Sequence, residues 1–215
     1  MPLLLSKFIN DNTIIGLWRL EEPLDDLLQA LPPQASVDKR LAEVHPKRQR
    51  EWLASRVLTY SLLEELTPLP LQLLRNELGK PYFSDSRFHV SISHSPAMAA
   101  VILSDTYEVG IDIELISPKA LRVQEKFLTD QEQTYTLADE RETCLYWSAK
   151  ETLYKMYSRK QLIFKENLAV EPLDKANLLQ GRVQTENFSK LYRIHHETLY
   201  GHVLTYCIDQ ALAKV

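Results

Sequence analysis

Apolar residues recur along this chain in two rhythms, and the switches between them predict the elements. Leu3 to Ile9 and Ile14 to Leu20 read as short strands around the turn-rich Asn10-Asp11-Asn12. Leu24 to Leu31 reads as a short helix stopped by Pro32-Pro33, and Ser36 to Lys39 as a helix start. Leu53, Val57, Tyr60 and Leu63 recur at helical spacing, which predicts a long amphipathic helix over Pro46 to Leu66, ended by Pro68 and Pro70. Gly79-Lys80-Pro81 reads as a tight turn that presents Lys80. Phe88, Val90 and Ile92 alternate with polar residues up to Ser95, as in a half-buried strand, and Ala97 to Leu103 follows as a second strand.

Val109 to Leu115 alternates again, with Val109, Ile111 and Ile113 on one face and Gly110, Asp112 and Glu114 on the other. Ser117-Pro118 breaks the chain before two helices, Ala120 to Phe127 and one that starts at Thr129-Asp130, where Thr129 and Glu132 have capping-box spacing. Arg141 to Tyr157 is helical. Leu162 to Val170, Arg182 to Phe188, Lys190 to His196 and Gly201 to Ile208 read as strands. A long helix followed by strands thus occurs twice. The pattern predicts an α+β chain of two similar lobes, residues 1–104 and 105–215, joined near Ser104-Asp105-Thr106.

Composition narrows the class. With 215 residues, 45% of them apolar and 25% charged, the chain can bury a substantial core. A net charge of −4 gives no overall electrostatic reason to bind nucleic acid or a membrane. The apolar run at Met1 to Asn10 is short for a signal peptide, and no apolar stretch has membrane-spanning length. Cys144 and Cys207 lack metal-ligand spacing and are expected to be free thiols, Cys144 buried, in a cytoplasmic protein. His195, His196 and His202 are expected on the surface.

The chemistry concentrates between Val109 and Lys155. Asp112 and Glu114 repel each other on one strand face unless a cation lies between them. On the later helix, Trp147, Glu151 and Lys155 share a face. If strand and helix meet, Asp112, Glu114 and Glu151 supply three oxygen ligands suited to Mg²⁺, or equally Mn²⁺, with Lys155 beside them. A second cluster lies upstream, where Lys39, Arg40, Lys47, Arg48, Arg50 and Arg56 gather six cations within eighteen residues of an acidic chain. That is a candidate anion site.

Gly110-Ile111-Asp112-x-Glu114 and, 37 residues after Glu114, Trp147-Ser148-x-Lys150-Glu151-x-x-x-Lys155 together resemble the signature of the 4′-phosphopantetheinyl transferases, nearest the two-lobed, surfactin-synthetase-activating type. The resemblance implies a pseudo-twofold pair of α+β lobes with the active site in the cleft. It also implies transfer of 4′-phosphopantetheine from coenzyme A to a serine of an apo acyl, peptidyl or aryl carrier protein, with release of 3′,5′-ADP. By the same resemblance Mg²⁺ sits on Asp112, Glu114 and Glu151, and Glu151 and Lys155 are catalytic. Trp52-Leu53-Ala54-Ser55-Arg56 is similar to the family's helix ending in a phosphate-contacting arginine, and Arg40 falls near an upstream coenzyme contact. Arg75 and Lys80 match the family's Arg-x-x-x-Gly-Lys-Pro element, and Ser93-His94 its Ser-His motif, whose histidine binds the 3′-phosphate of coenzyme A. An acidic carrier is expected to dock near Ala120 to Phe127, by analogy with the family, on a monomeric enzyme. Two rival classes stand beside it: a metal-dependent phosphodiesterase or nuclease, which also needs clustered carboxylates, and a coenzyme A or carrier-binding module that has lost catalysis, against which the intact Asp112, Glu114, Glu151 and Lys155 argue.

Overall fold

The computed structural model describes residues 2–37, 39–159 and 161–210, with Lys39 and Arg40 described by backbone alone. The chain divides into two compact units, Met1–Val109 and Gly110–Val215. Both mix helices and strands, so the fold class is α+β. Among the described residues no helix is long and apolar enough to cross a membrane.

In the first unit, strands β1 (Leu3–Asn10), β2 (Thr13–Arg19), β5 (His89–His94) and β6 (Met98–Ser104) form an antiparallel sheet in the order β1-β2-β6-β5. Helix α1 (Leu24–Gln29) is short, and α2 runs over Pro46–Leu66, the predicted span. His45 caps α2, its Nδ1 accepting from Lys47 N at 3.2 Å, and Pro46 fits the first turn because its missing N–H has no helical partner there. The helix closes on the sheet at Gly16, where an added Cβ would stand 2.8 Å from Leu58 Cδ1. A hairpin of β3 (Leu73–Arg75) and β4 (Pro81–Phe83) was not legible as strands, because three residues are too few for an alternation to register.

In the second unit, β7 (Val109–Leu115), β8 (Leu168–Pro172), β9 (Leu178–Thr185), β10 (Phe188–Leu199) and β11 (His202–Ile208) form one sheet in the order β7-β11-β10-β9-β8. Helices α3 (Pro118–Arg122) and α4 (Asp130–Thr136) precede α5 (Glu140–Tyr157), the long helix that packs on the sheet through Leu145, Ala149, Leu153 and Met156. The Thr129 capping box forms, with Glu132 N donating to Thr129 Oγ1 and Thr129 N to Glu132 Oε2.

Four expectations are corrected by the structure. Residues 120–127 are not one helix: α3 ends at Arg122 and a short 3-10 turn follows at Gln124–Lys126. Leu162 to Val170 is not one strand either, since α6 (Phe164–Asn167) interrupts it, with Asn167 Oδ1 accepting from Ile163 N. The strand expected from Arg182 begins at Leu178 instead, and Phe188 opens the next strand after a turn. His202 is also buried, its Nδ1 within 2.8 Å of Tyr200 O. Both cysteines are free and buried, Cys144 as read from the sequence.

Gly110 marks where β7 and α5 touch. A Cβ there would lie 2.9 Å from Met156 Cγ and Sδ and 3.0 Å from Thr152 O, a backbone atom that cannot rotate away. Gly110→Ala is therefore expected to destabilise the chain by about 1–3 kcal/mol, as overpacking does. A urea melt reads this directly, and an unchanged midpoint would mean that α5 shifts freely over the strand.

Candidate active site

Strand β7 is buried on both faces from Val109 to Ile113 rather than on alternate residues. The cause is α5, which covers the Gly110, Asp112, Glu114 face. Asp112 is only 4% exposed. Its Oδ1 accepts from Lys155 Nζ at 2.8 Å, and the same ammonium donates to Ile111 O at 2.8 Å. Glu114 Oε1 accepts from Trp147 Nε1 at 2.8 Å. Helix positions 155 and 147, two turns apart, thus engage strand positions 112 and 114, and Glu151 stands one turn from each.

The electrostatics bind the three carboxylates together. Burial, and then the Asp112 carboxylate, push Glu151 up to about 7; Lys155 opposes this and Glu114 adds to it. Burial, then Asp112, also raise Glu114, against the pull of the Trp147 hydrogen bond and of Lys119 and Lys155. All three therefore share one negative field, with the Lys155 ammonium within it. Among the described residues no three His, Cys, Asp or Glu side chains are gathered as a ready metal-ligand group. Donors on α5 take one oxygen each of Asp112 and Glu114. As chemistry the set still fits a hard divalent cation, which prefers carboxylate oxygens and favours the ionised form of each.

Two members of the helix motif have positions that the sequence did not reveal. Trp147 holds Glu114, and its ring packs edge-on against Phe127 at 5.1 Å and stacks on Phe164 at 5.5 Å. Lys150 is wholly buried, its Nζ donating to Phe127 O, Glu132 Oε2 and Phe164 O. The signal for Lys150 was available, since it lies four residues after Tyr146 and three before Leu153, both core positions.

The basic residues of the first unit fall into separate places. Arg56 is buried, lies 3.3 Å over the Trp52 ring and donates to Trp52 O. Burial, and then the like charge of Arg75, lower it to about 9, so it stays cationic at neutral pH while facing a second cation. A guanidinium that feels a second one favours an anion nearby. Lys80 Nζ lies 3.0 Å from Glu108 Oε2, and His89 Nδ1 lies 3.3 Å from Glu108 Oε1. Burial alone would raise Glu108, yet the hydrogen bond and charge of Lys80, with His89, outweigh it and hold the carboxyl below its usual range. Ser93 is buried and His94 follows it at the end of β5, with Nδ1 3.6 Å from Glu51 Oε2. Arg48 contacts that same oxygen at 2.8 Å, whereas Arg50 Nε donates to Glu22 O. The Arg40 side chain lies outside the described residues.

Comparison with known proteins bears on both units. Residues 36–104 match the model of the 4′-phosphopantetheinyl transferase N-terminal domain, and residues 108–207 that of the 4′-phosphopantetheinyl transferase superfamily. The 4′-phosphopantetheinyl transferase AcpT of Escherichia coli O157:H7 is 45% identical over 76 residues, 35% of this chain and 36% of that protein. AcpT of Salmonella typhi is 34% identical over 124 residues, 55% of this chain and 59% of its own. The 4′-phosphopantetheinyl transferase psf-1 of Bacillus pumilus is 31% identical over 152 residues, 63% of this chain and 65% of its own. Each alignment spans less than two thirds of the relative's length. With one model on each unit and both describing the same enzymes, this chain belongs to the 4′-phosphopantetheinyl transferase superfamily.

Proposed function

We propose that this chain transfers 4′-phosphopantetheine from coenzyme A to a serine of an apo carrier protein and releases 3′,5′-ADP. The observation that carries the reading is the meeting of Asp112 and Glu114 from β7 with Glu151 and Lys155 from α5, in one shared field. In this reading residues 1–104 hold the coenzyme nucleotide and residues 105–215 carry metal and catalysis. Asp112, Glu114 and Glu151 would hold Mg²⁺, or Mn²⁺, which when bound supplies Lewis-acid neutralisation of the pyrophosphate.

The chain's own groups do the rest. The serine Oγ–phosphorus bond forms, the bond from that phosphorus to the bridging pyrophosphate oxygen breaks, and 3′,5′-ADP leaves. Catalysis of this kind needs placement and charge neutralisation rather than a covalent partner from the enzyme. Lys155, fixed by Asp112 Oδ1 and Ile111 O, offers its ammonium to the charge that develops on the leaving phosphate. Glu151, which burial and then the Asp112 charge raise to about 7, is the candidate to take the serine proton, directly or through a water. Arg40, Arg56, Arg75, Lys80, Ser93 and His94 would hold the nucleotide phosphates; the Arg56–Arg75 proximity supports an anion between those two. Lys80 must then exchange Glu108 for phosphate, a swap between two anionic partners. Two buried free thiols suit the reducing cytoplasm in which the enzyme would act, as a monomer.

Intact-mass spectrometry of an apo acyl carrier protein incubated with the chain, coenzyme A and Mg²⁺ tests the proposal. One added phosphopantetheine that EDTA abolishes supports donor, reaction and metal together. No addition on several unrelated apo carriers, from a chain that still binds coenzyme A, would reject the transferase reading in favour of a binding module.

A further inference from the structure

The first unit contains a buried carboxylate that the proposed reaction does not use. Glu51 lies on α2, is 4% exposed and is not a member of the basic set around it. A buried carboxylate is costly unless paired. One of its oxygens, Oε2, faces a guanidinium and an imidazole: Arg48 NH1 at 2.8 Å and His94 Nδ1 at 3.6 Å. Arg48 comes from the same helix one turn earlier, and His94 from the end of β5, so one oxygen ties helix to strand. The imidazole is partly exposed, and with Nδ1 turned to Glu51 its other nitrogen points away from the carboxylate.

We infer that Glu51 is the positioning residue for His94, fixing the ring with Nδ1 inward so that Nε2 is presented to a phosphate. This rests on the reading of His94 as the group that meets the 3′-phosphate of coenzyme A. The physics has two parts. A carboxylate beside Nδ1 holds a proton there, and a ring set between Glu51 and a phosphate, both acceptors, donates from both nitrogens. Glu51 also repels an incoming phosphate, but Arg48 already sits on the same oxygen at 2.8 Å and offsets that field. Orientation and charge of the ring therefore dominate, and loss of Glu51 weakens phosphate recognition. Glu51 touches no substrate in this scheme and acts through His94.

The test is a double-mutant cycle read on a ratio. Affinities for coenzyme A and for 3′-dephospho-coenzyme A are measured by calorimetry with the wild-type chain, Glu51→Gln, His94→Ala and the double variant. Glu51→Gln keeps the volume, and binding of the dephospho ligand reports that the variant is folded. The expected result is an about tenfold loss of the preference for the 3′-phosphate in Glu51→Gln, a change of about one pKa unit in equivalent energy. On the His94→Ala background, Glu51→Gln should have no additional effect on the ratio. Glu51→Asp, which draws the carboxylate back by one methylene, should fall between wild type and Gln, and it replaces Gln in the cycle if Gln does not fold.

Equal losses for both ligands would mean a merely structural Glu51 and overturn the inference. So would an undiminished effect of Glu51→Gln in the absence of His94. If His94→Ala itself leaves the ratio unchanged, the 3′-phosphate reading of His94 fails first, and the inference falls with it.

Discussion

Asp112→Ala should leave a chain that folds and still binds coenzyme A but transfers phosphopantetheine at least about a thousandfold more slowly, the scale on which a lost electrostatic centre is felt. The stability side of that expectation follows from two opposed changes. Removing Asp112 takes one acceptor from Lys155, whose ammonium keeps Ile111 O. It also removes the carboxylate that raises both Glu151 and Glu114, and so relieves repulsion in a buried site. The two changes offset each other, so the fold should survive. Function has no such compensation. The two remaining carboxylates would offer the proposed cation fewer charged oxygens, and Lys155 loses the side-chain contact that fixes its ammonium. Intact-mass spectrometry gives the rate and a urea melt gives the stability. A folded Asp112→Ala chain with wild-type activity would sink the assignment of Asp112 to the catalytic centre.

This centre was legible because its parts obey local rules. Gly110, Asp112 and Glu114 fall on one strand face by the two-residue period, and Trp147, Glu151 and Lys155 on one helix face by the four-residue period. The structure adds what period cannot give: that α5 covers that strand face, which turns a half-exposed strand into a buried one. The approximate span of α2 was legible because Pro46 opens it and Pro68 follows its end. Interruptions were not. Phe164-Lys165-Glu166-Asn167 forms a single helical turn inside what reads as a strand, since one turn leaves too few positions to reveal its period. Glu51 meeting His94 was invisible for a different reason. The pair is 43 residues apart, 94 less 51, and only tertiary packing of α2 on β5 brings the two together. Glu132 was read as a capping residue, which it is, but its second partner is Lys150, 18 residues on.

That second partnership carries the largest expected effect on stability: Lys150→Met should destabilise the chain by about 3–5 kcal/mol, the usual result of removing one member of a buried ion pair. Lys150 is 0% exposed and Glu132 3% exposed, and Nζ lies 2.7 Å from Glu132 Oε2. Burial pulls the Lys150 ammonium below its ordinary range, and Glu132 holds it up. The same ammonium donates to Phe127 O at 2.6 Å and Phe164 O at 3.3 Å, while Glu132 accepts from Val170 N at 2.9 Å and Thr129 N at 2.8 Å. One ion pair thus ties α5 to the segment before α4, to α4, to α6 and to β8. Methionine fills the space but leaves the buried Glu132 carboxylate without its cation and two carbonyls without the ammonium. Against a total stability of about 5–15 kcal/mol, that loss is a large fraction. The consequence reaches the site through aromatic contacts, since Phe127 and Phe164 flank the Trp147 ring and Trp147 holds Glu114. If the cost is an uncompensated charge, Lys150→Met combined with Glu132→Gln should recover part of the loss, because no ion then remains buried alone. Chemical denaturation of both variants decides it. A Lys150→Met chain within about 1 kcal/mol of wild type, the range of an ordinary exposed pair, would show that Lys150 and Glu132 do not hold these segments together.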